Sequence, residues 1–210
     1  VMGGVYLLST VVSDAVQQAL GRVSGVTRVE RVWGRDRYET GLRIAQKIKA
    51  IKGTAYSGTA IVVSGVSFPD AVVASAWAYR ADTAIVLVNA SSAPATSRQA
   101  VKELGAGTVQ VVGGPAVVPD GVAASLGVPV KRVASGLDRY DTAAKLATYL
   151  TEAAGFTWDH PHVASGESLV DALAGGPLAG NRRGPILFAT KYTLPAASTT
   201  AFDTHRLLVD

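Results

Sequence analysis

Hydrophobic positions along this chain follow two rhythms that alternate from one end to the other. Short runs, mostly β-branched and apolar on both faces, occur at 5–8, 59–63, 84–88, 109–112, 130–133, 162–164 and 186–188. Runs of this kind are expected of parallel strands covered by helices on both sides. The intervening stretches predict helices over 13–20, 37–49, 69–79, 97–104, 119–126, 139–154, 170–179 and 196–203. In the second of these, Thr40, Leu42, Ile44, Ala45 and Ile48 make one stripe at helical spacing. Strand–helix alternation with short connections predicts α/β units with short parallel sheets and right-handed crossovers.

Polar positions repeat as well, and at a much longer period. The phrase Gly34-Arg35-Asp36-Arg37-Tyr38-Glu39-Thr40 returns as Gly136-Leu137-Asp138-Arg139-Tyr140-Asp141-Thr142, an offset of 102 from Gly34 to Gly136. Ser64-Gly65, with Asp70-Ala71, returns as Ser165-Gly166 with Asp171-Ala172, and Ile85-Val86-Leu87 with Pro94 returns as Ile186-Leu187-Phe188 with Pro195. The opening Val1-Met2-Gly3-Gly4 matches Val111-Val112-Gly113-Gly114, with the extra residues expected in a longer loop over 21–30. Ordered landmarks at such a spacing mean duplicated whole units. The expected division is a tail of a preceding unit over 1–30, a complete unit over 31–130, and a second unit over 131–210. That second unit lacks its last strand–helix segment, and residues 1–30 either complete its sheet or belong to a longer array.

Composition narrows the function classes. The 210 residues are 48% hydrophobic and 17% charged, as in a well-buried globular protein. No apolar run approaches the roughly 18 residues of a membrane-spanning helix. No secretion signal opens the chain, which reads as a mature or excised piece. With no cysteine, disulfides and thiolate metal sites are excluded, and no cofactor is expected. A net charge of +4, from 20 Lys plus Arg against 16 acids, is too even for a dedicated nucleic-acid binder. It suits weak, multivalent contact with an anionic polymer and equally suits a plain soluble domain.

The duplicated phrases carry the candidate chemistry. Asp36 and Asp138 sit where a loop enters a helix, as N-cap or first-turn acids, with Gly34 and Gly136 as turn residues. Arg37 and Arg139 are candidates for clamping a carboxylate or phosphate, or for locking the helix to a neighbouring unit together with Tyr38 and Tyr140. Ser64, Gly65, Asp70 and their counterparts Ser165, Gly166 and Asp171 follow a strand and open a helix, where ligands of open parallel sheets collect. The same residues also serve as turn glycines and caps, so both readings stand. Gly113 and Gly114 lack nucleotide-loop spacing and are read as a sharp turn. His160 and His162 have no counterparts in the first unit and are expected in an exposed loop without metal. No nucleophile–base–acid arrangement is evident, which argues against an enzyme.

On these residues the chain resembles the bacterial cell wall binding repeat 2 family. The matching phrases are 31–40 and 132–142, the segment 63–71, the apolar strand Ile85-Val86-Leu87, and Val111-Val112-Gly113-Gly114. The resemblance implies Toprim-like or Rossmann-like α/β units, usually three in tandem with pseudo-threefold symmetry. It further implies a secreted module that anchors surface proteins of Gram-positive bacteria non-covalently on an anionic wall polysaccharide or peptidoglycan-linked polymer. Ile85, Val86, Leu87 and the Asp-Arg-Tyr positions become candidates for anchoring or for grooves between units. The chain departs from the family in holding about two units and in Phe188, where leucine is favoured. The competing functions are a self-associating surface-layer module that binds no glycan, with further copies of the repeat as its partner, and a fragment of a wall amidase whose catalytic domain lies outside the chain.

Overall fold

The computed structural model describes residues 3–8 and 11–205. In chain order the elements are β1 (Gly4–Leu7), α1 (Asp14–Gly21), β2 (Arg28–Arg31), α2 (Arg37–Lys52), β3 (Thr59–Ser64), α3 (Pro69–Arg80), β4 (Ala84–Val88), α4 (Ala95–Leu104) and β5 (Thr108–Val112). They continue with α5 (Asp120–Ala124), β6 (Val130–Ala134), α6 (Arg139–Ala153), β7 (His162–Ser165), α7 (Val170–Arg182), β8 (Ile186–Ala189) and α8 (Ala196–His205). All pairings among the described residues are parallel: β1 with β2, a four-stranded sheet in the order β4–β3–β5–β6, and β7 with β8. The α/β architecture expected from the alternation is therefore present.

Strand β3 shows how the core is organised. Its side chains alternate between faces: Ala60 and Val62 pack with Leu42 of α2, Val101 and Leu104 of α4, and Val122 of α5. Ile61 and Val63 face the opposite way, toward Val73 and Trp77 of α3 and Leu146 and Leu150 of α6. The second cluster continues into Ala172 and Ala179 of α7 and Phe188 of β8, so one apolar core runs through both repeats. Helices α3 and α7, which hold equivalent places in the repeat, pack together through Gly176 and Gly180. A β-carbon on Gly180 would stand 2.8 Å from the Tyr79 ring, and one on Gly176 would stand 3.0 Å from Ser75 Cβ. Trp77 meets Tyr149 of α6 edge-on at 5.6 Å, and the Tyr149 hydroxyl donates to Gln110 at 3.0 Å.

Strand β2 was not foreseen, because Arg28-Val29-Glu30-Arg31 carries charge at three of its positions and no apolar run. It pairs Leu7 with Arg31 just as β5 pairs Val111 with Arg132. The side chains of these two arginines do the same work. Arg31 reaches the Val12 carbonyl and Asp14 at the start of α1; Arg132 reaches the Val118 carbonyl and Asp120 at the start of α5. Segment β1–α1 thus stands to β2 as β5–α5 stands to β6, and the β1 ladder runs to β2, not to β7.

This register corrects the expected match of the double glycines. Leu7 occupies the place of Val111, so Gly3 and Gly4 precede a strand end, whereas Gly113 and Gly114 follow one. Val1 and Met2 lie outside the described residues. The excess length appears mainly in α1, eight residues against five in α5.

Candidate functional site

The two Gly-x-Asp-Arg-Tyr-x-Thr phrases fold alike. Asp36 caps α2 by accepting the Glu39 amide at 2.8 Å, and Asp138 caps α6 by accepting the Tyr140 and Asp141 amides at 2.9 Å. Thr40 and Thr142 accept the Gly34 and Gly136 amides at 3.0 and 3.1 Å. Glu39 and Asp141 turn back to the Arg35 and Leu137 amides at 3.0 and 2.9 Å. The Arg35 amide and guanidinium hold the Glu39 carboxyl below its ordinary range. Both glycines are obligatory here. A β-carbon on Gly34 would lie 2.6 Å from the Glu39 carbonyl carbon, and one on Gly136 would lie 2.6 Å from that of Asp141.

Each phrase then docks onto the Ser-Gly loop of its own repeat. Arg37 donates to the Gly65 carbonyl at 2.5 Å, and Arg139 to the Gly166 carbonyl at 2.6 Å. Tyr38 and Tyr140 pack closely against the glycines: a β-carbon on Gly65 would be 2.8 Å from the Tyr38 ring, and one on Gly166 would be 2.6 Å from Tyr140. The serines close the loops, Ser64 accepting the Val66 and Ser67 amides, and Ser165 those of Glu167 and Ser168. The arginine bond therefore ties loop to helix within a unit, where a lock between units had been one of the expectations. Arg37 also lies 5.2 Å over the exposed Phe68 ring.

Of the apolar strand, Ile85 and Leu87 are half-buried, while Val86 is 2% exposed and faces the core. The expected groove role of Val86 fails for that reason: alternate residues of a strand point to opposite faces. Leu187 and Phe188 are fully buried in the second copy. Ser97 and Ser198 donate to the Leu87 and Phe188 carbonyls at 2.6 and 2.7 Å, another duplicated contact.

The two repeats differ where they meet. Asp70, in the first turn of α3, is 6% exposed and accepts no hydrogen bond among the described residues. Its carboxyl lies against Gly113, whose φ of +118° and proximity to Asp70 (2.6 Å from a β-carbon) both require glycine. Burial pushes this carboxyl up to about 6, against the opposing pull of Arg139. It lines a groove of about 270 Å³ whose other wall comes from the second repeat: Gly136, Leu137, Asp138, Arg139 and Thr142. Gly114, Ala116 and Val117 close one end. Asp171, the repeat counterpart of Asp70, is exposed. Burial lowers His162, whose Nδ1 has no hydrogen-bond partner, so the expected loop histidine is half-buried at a strand start. No group of residues among those described could hold a metal ion.

The family model for cell wall binding domain 2 matches residues 31–123 and 133–209. The chain belongs to the cell wall binding domain 2 family. Among curated proteins it is 33% identical, over 175 residues, to the N-acetylmuramoyl-L-alanine amidase LytC of Bacillus subtilis, covering 82% of this chain and 33% of that protein. Among solved structures it matches Cwp8 from Clostridium difficile with a TM-score of 0.78 and 27% identity, over 96% of this chain and 33% of Cwp8. Cwp6 from the same organism shares the fold at a TM-score of 0.72 and 23% identity, over 83% of this chain and 27% of Cwp6. The chain thus spans about a third of the relatives it matches.

As a cell-wall-binding module, this chain holds duplicated contacts beyond the phrases first singled out. Arg31 and Arg132, and Ser97 and Ser198, recur at an offset of 101, close to that of the phrases themselves. Their signal lay in the repeat, not in any motif.

Proposed function

We propose that this module is a non-catalytic anchor that holds a longer secreted protein on the surface of a Gram-positive cell, through non-covalent contact with anionic wall polymers. The observation that carries this reading is how the duplicated polar residues are used. Asp36, Arg37, Ser64 and their counterparts are all engaged in caps and loop closure, which leaves no nucleophile–base pair among the described residues of either copy. What the repeats hold in common is a surface: two arginine-bearing loops at the carboxyl ends of the strands. In this reading any amidase activity of relatives such as LytC resides in another part of the longer protein.

We further read the chain as a preceding unit's tail over 1–30 and units over 31–130 and 131–210. The matched roles of Arg31 and Arg132 support that frame. Arg37 and Arg139 keep exposed guanidinium edges after their carbonyl bonds, and these are the groups offered to polymer anions. Tyr38 and Tyr140, packed against Gly65 and Gly166, hold the loops beside these arginines.

Weak contacts multiplied along a polymer should be sensitive to salt. Co-sedimentation of the chain with isolated walls should fall roughly tenfold in apparent affinity between low and high ionic strength. Retention that does not change with salt would count against the anionic polymer. Release of peptidoglycan fragments by this chain alone would count against the non-catalytic reading.

A further inference from the structure

The groove between the repeats contains a group that the fold itself does not explain. Buried polar side chains are almost always hydrogen-bonded, and an unpartnered one calls for a reason. Asp70 is 6% exposed as a residue and accepts no hydrogen bond among the described residues, but its carboxylate oxygens are not sealed in as Trp158 Nε1 and His162 Nδ1 are: they open into the groove that Asp70 lines. Asp171 occupies the same place in the second repeat, where it is exposed and carries no such cost. The cap role expected of an acid in a first helical turn does not account for Asp70 either, since no α3 amide donates to it.

Across the groove, Arg139 has one Nη bound to the Gly166 carbonyl, with its remaining N–H groups free to donate. The rim is apolar: Leu137 is 99% exposed, and Ala116 and Val117 lie beside it. The charge balance decides the class of ligand. Asp70 and Asp138 face the groove against a single arginine, and a phosphate set beside Asp70 would be repelled. No titratable group comes from the Gly113–Val117 turn, and Arg132 of β6 is committed to Gly113, Val118 and Asp120. An acceptor carboxylate, a facing donor and an aliphatic rim suit a neutral ring bearing hydroxyl groups. A groove of about 270 Å³ has room for one such ring.

We propose that the junction groove is a saccharide subsite, in which Asp70 accepts hydroxyl protons from one neutral sugar ring of the wall polymer and Arg139 donates to its oxygens. This deepens the wall-binding reading and rests on it: sugar rings enter the groove, while the polymer's anionic groups meet Arg37 and the solvent side of Arg139, outside the groove. Because the walls come from two consecutive units, sites are counted by junctions and not by units. The first repeat alone supplies Asp70 and Gly113 without the facing arginine.

The test is amide NMR of the whole 210-residue chain, titrated with neutral saccharide fragments released from isolated walls by mild acid, and separately with inorganic phosphate. The saccharides should shift Gly114, Leu137 and Arg139 saturably. Asp70→Asn should weaken that binding about tenfold, the size expected for one lost charged hydrogen bond. Glu152→Gln, at an exposed site on α6 away from the groove, should leave it unchanged. Saccharides that leave these amides unmoved, or phosphate that shifts them equally in Asp70→Asn, would overturn the proposal. Retention of the wild-type chain on isolated walls, measured alongside, separates the two levels. Lost retention with intact saccharide shifts breaks the anchoring reading alone, whereas intact retention without saccharide shifts breaks only the subsite.

Discussion

Replacing Gly136 with alanine is expected to destabilise the fold by about 3 kcal/mol. The new β-carbon meets the Thr142 amide nitrogen and lies 2.6 Å from the Asp141 carbonyl carbon, both backbone atoms of the first turn of α6. Neither can move without pulling that turn away from Asp138, whose carboxylate caps it. The Gly136 amide would also lose the Thr142 hydroxyl, worth about 1 kcal/mol. Gly34→Ala should cost a similar amount, because the same geometry recurs against Glu39. Gly41, just over one turn into α2 and half-buried, is the contrast. It has nothing within 4 Å of a β-carbon, so Gly41→Ala should stabilise by about 0.5–1 kcal/mol. Urea unfolding of the three variants checks the order; equal midpoints for Gly136→Ala and the parent chain would remove the obligatory role of the glycine.

Asp70→Asn is expected to stabilise the fold at neutral and alkaline pH. Burial raises the Asp70 carboxyl from 3.8 to about 6, so the folded chain holds its proton more tightly than the unfolded chain does. Stability from this group is therefore greatest below the unfolded value near 3.8 and is lost as pH rises through about 6. The shift corresponds to about 3 kcal/mol above that window. Asparagine has no charge to bury, so its advantage should be full at pH 8, shrink between pH 6 and pH 4, and vanish below, within about 1 kcal/mol of its own desolvation cost. Unfolding free energies of both proteins across that range provide the check. A gain that persists unchanged into acid would mean that Asp70 is not the buried, unpartnered carboxylate described. The expected trade is stability gained against saccharide binding lost, as at other binding sites held under strain.

Much of the fold was legible because both rhythms of the sequence agree. Strands β3 to β8 fall within one residue of their apolar runs, and α2 and α6 begin where Asp36 and Asp138 announce a cap. β2 was illegible because its pattern is charged, and its pairing partner lies across α1. The double glycines misled because apolar-Gly-Gly is a common end to a strand. The arginine clamps at Arg31 and Arg132, with Asp14 and Asp120 at matching places, fix the register instead. The site was legible in part. The phrases identified the loops, but whether Arg37 reaches its own unit or a neighbour depends on where Gly65 lies in space. The difference between Asp70 and Asp171 could not be read at all: the motif is the same, and burial comes from a turn supplied much later in the chain.

Wall anchoring through a polymer is the central claim, and it is tested most directly by co-sedimentation with walls before and after chemical removal of their secondary polymers. The chain should sediment with intact walls and stay in solution with stripped ones. Equal retention on both would contradict the account and place its partner in the peptidoglycan itself.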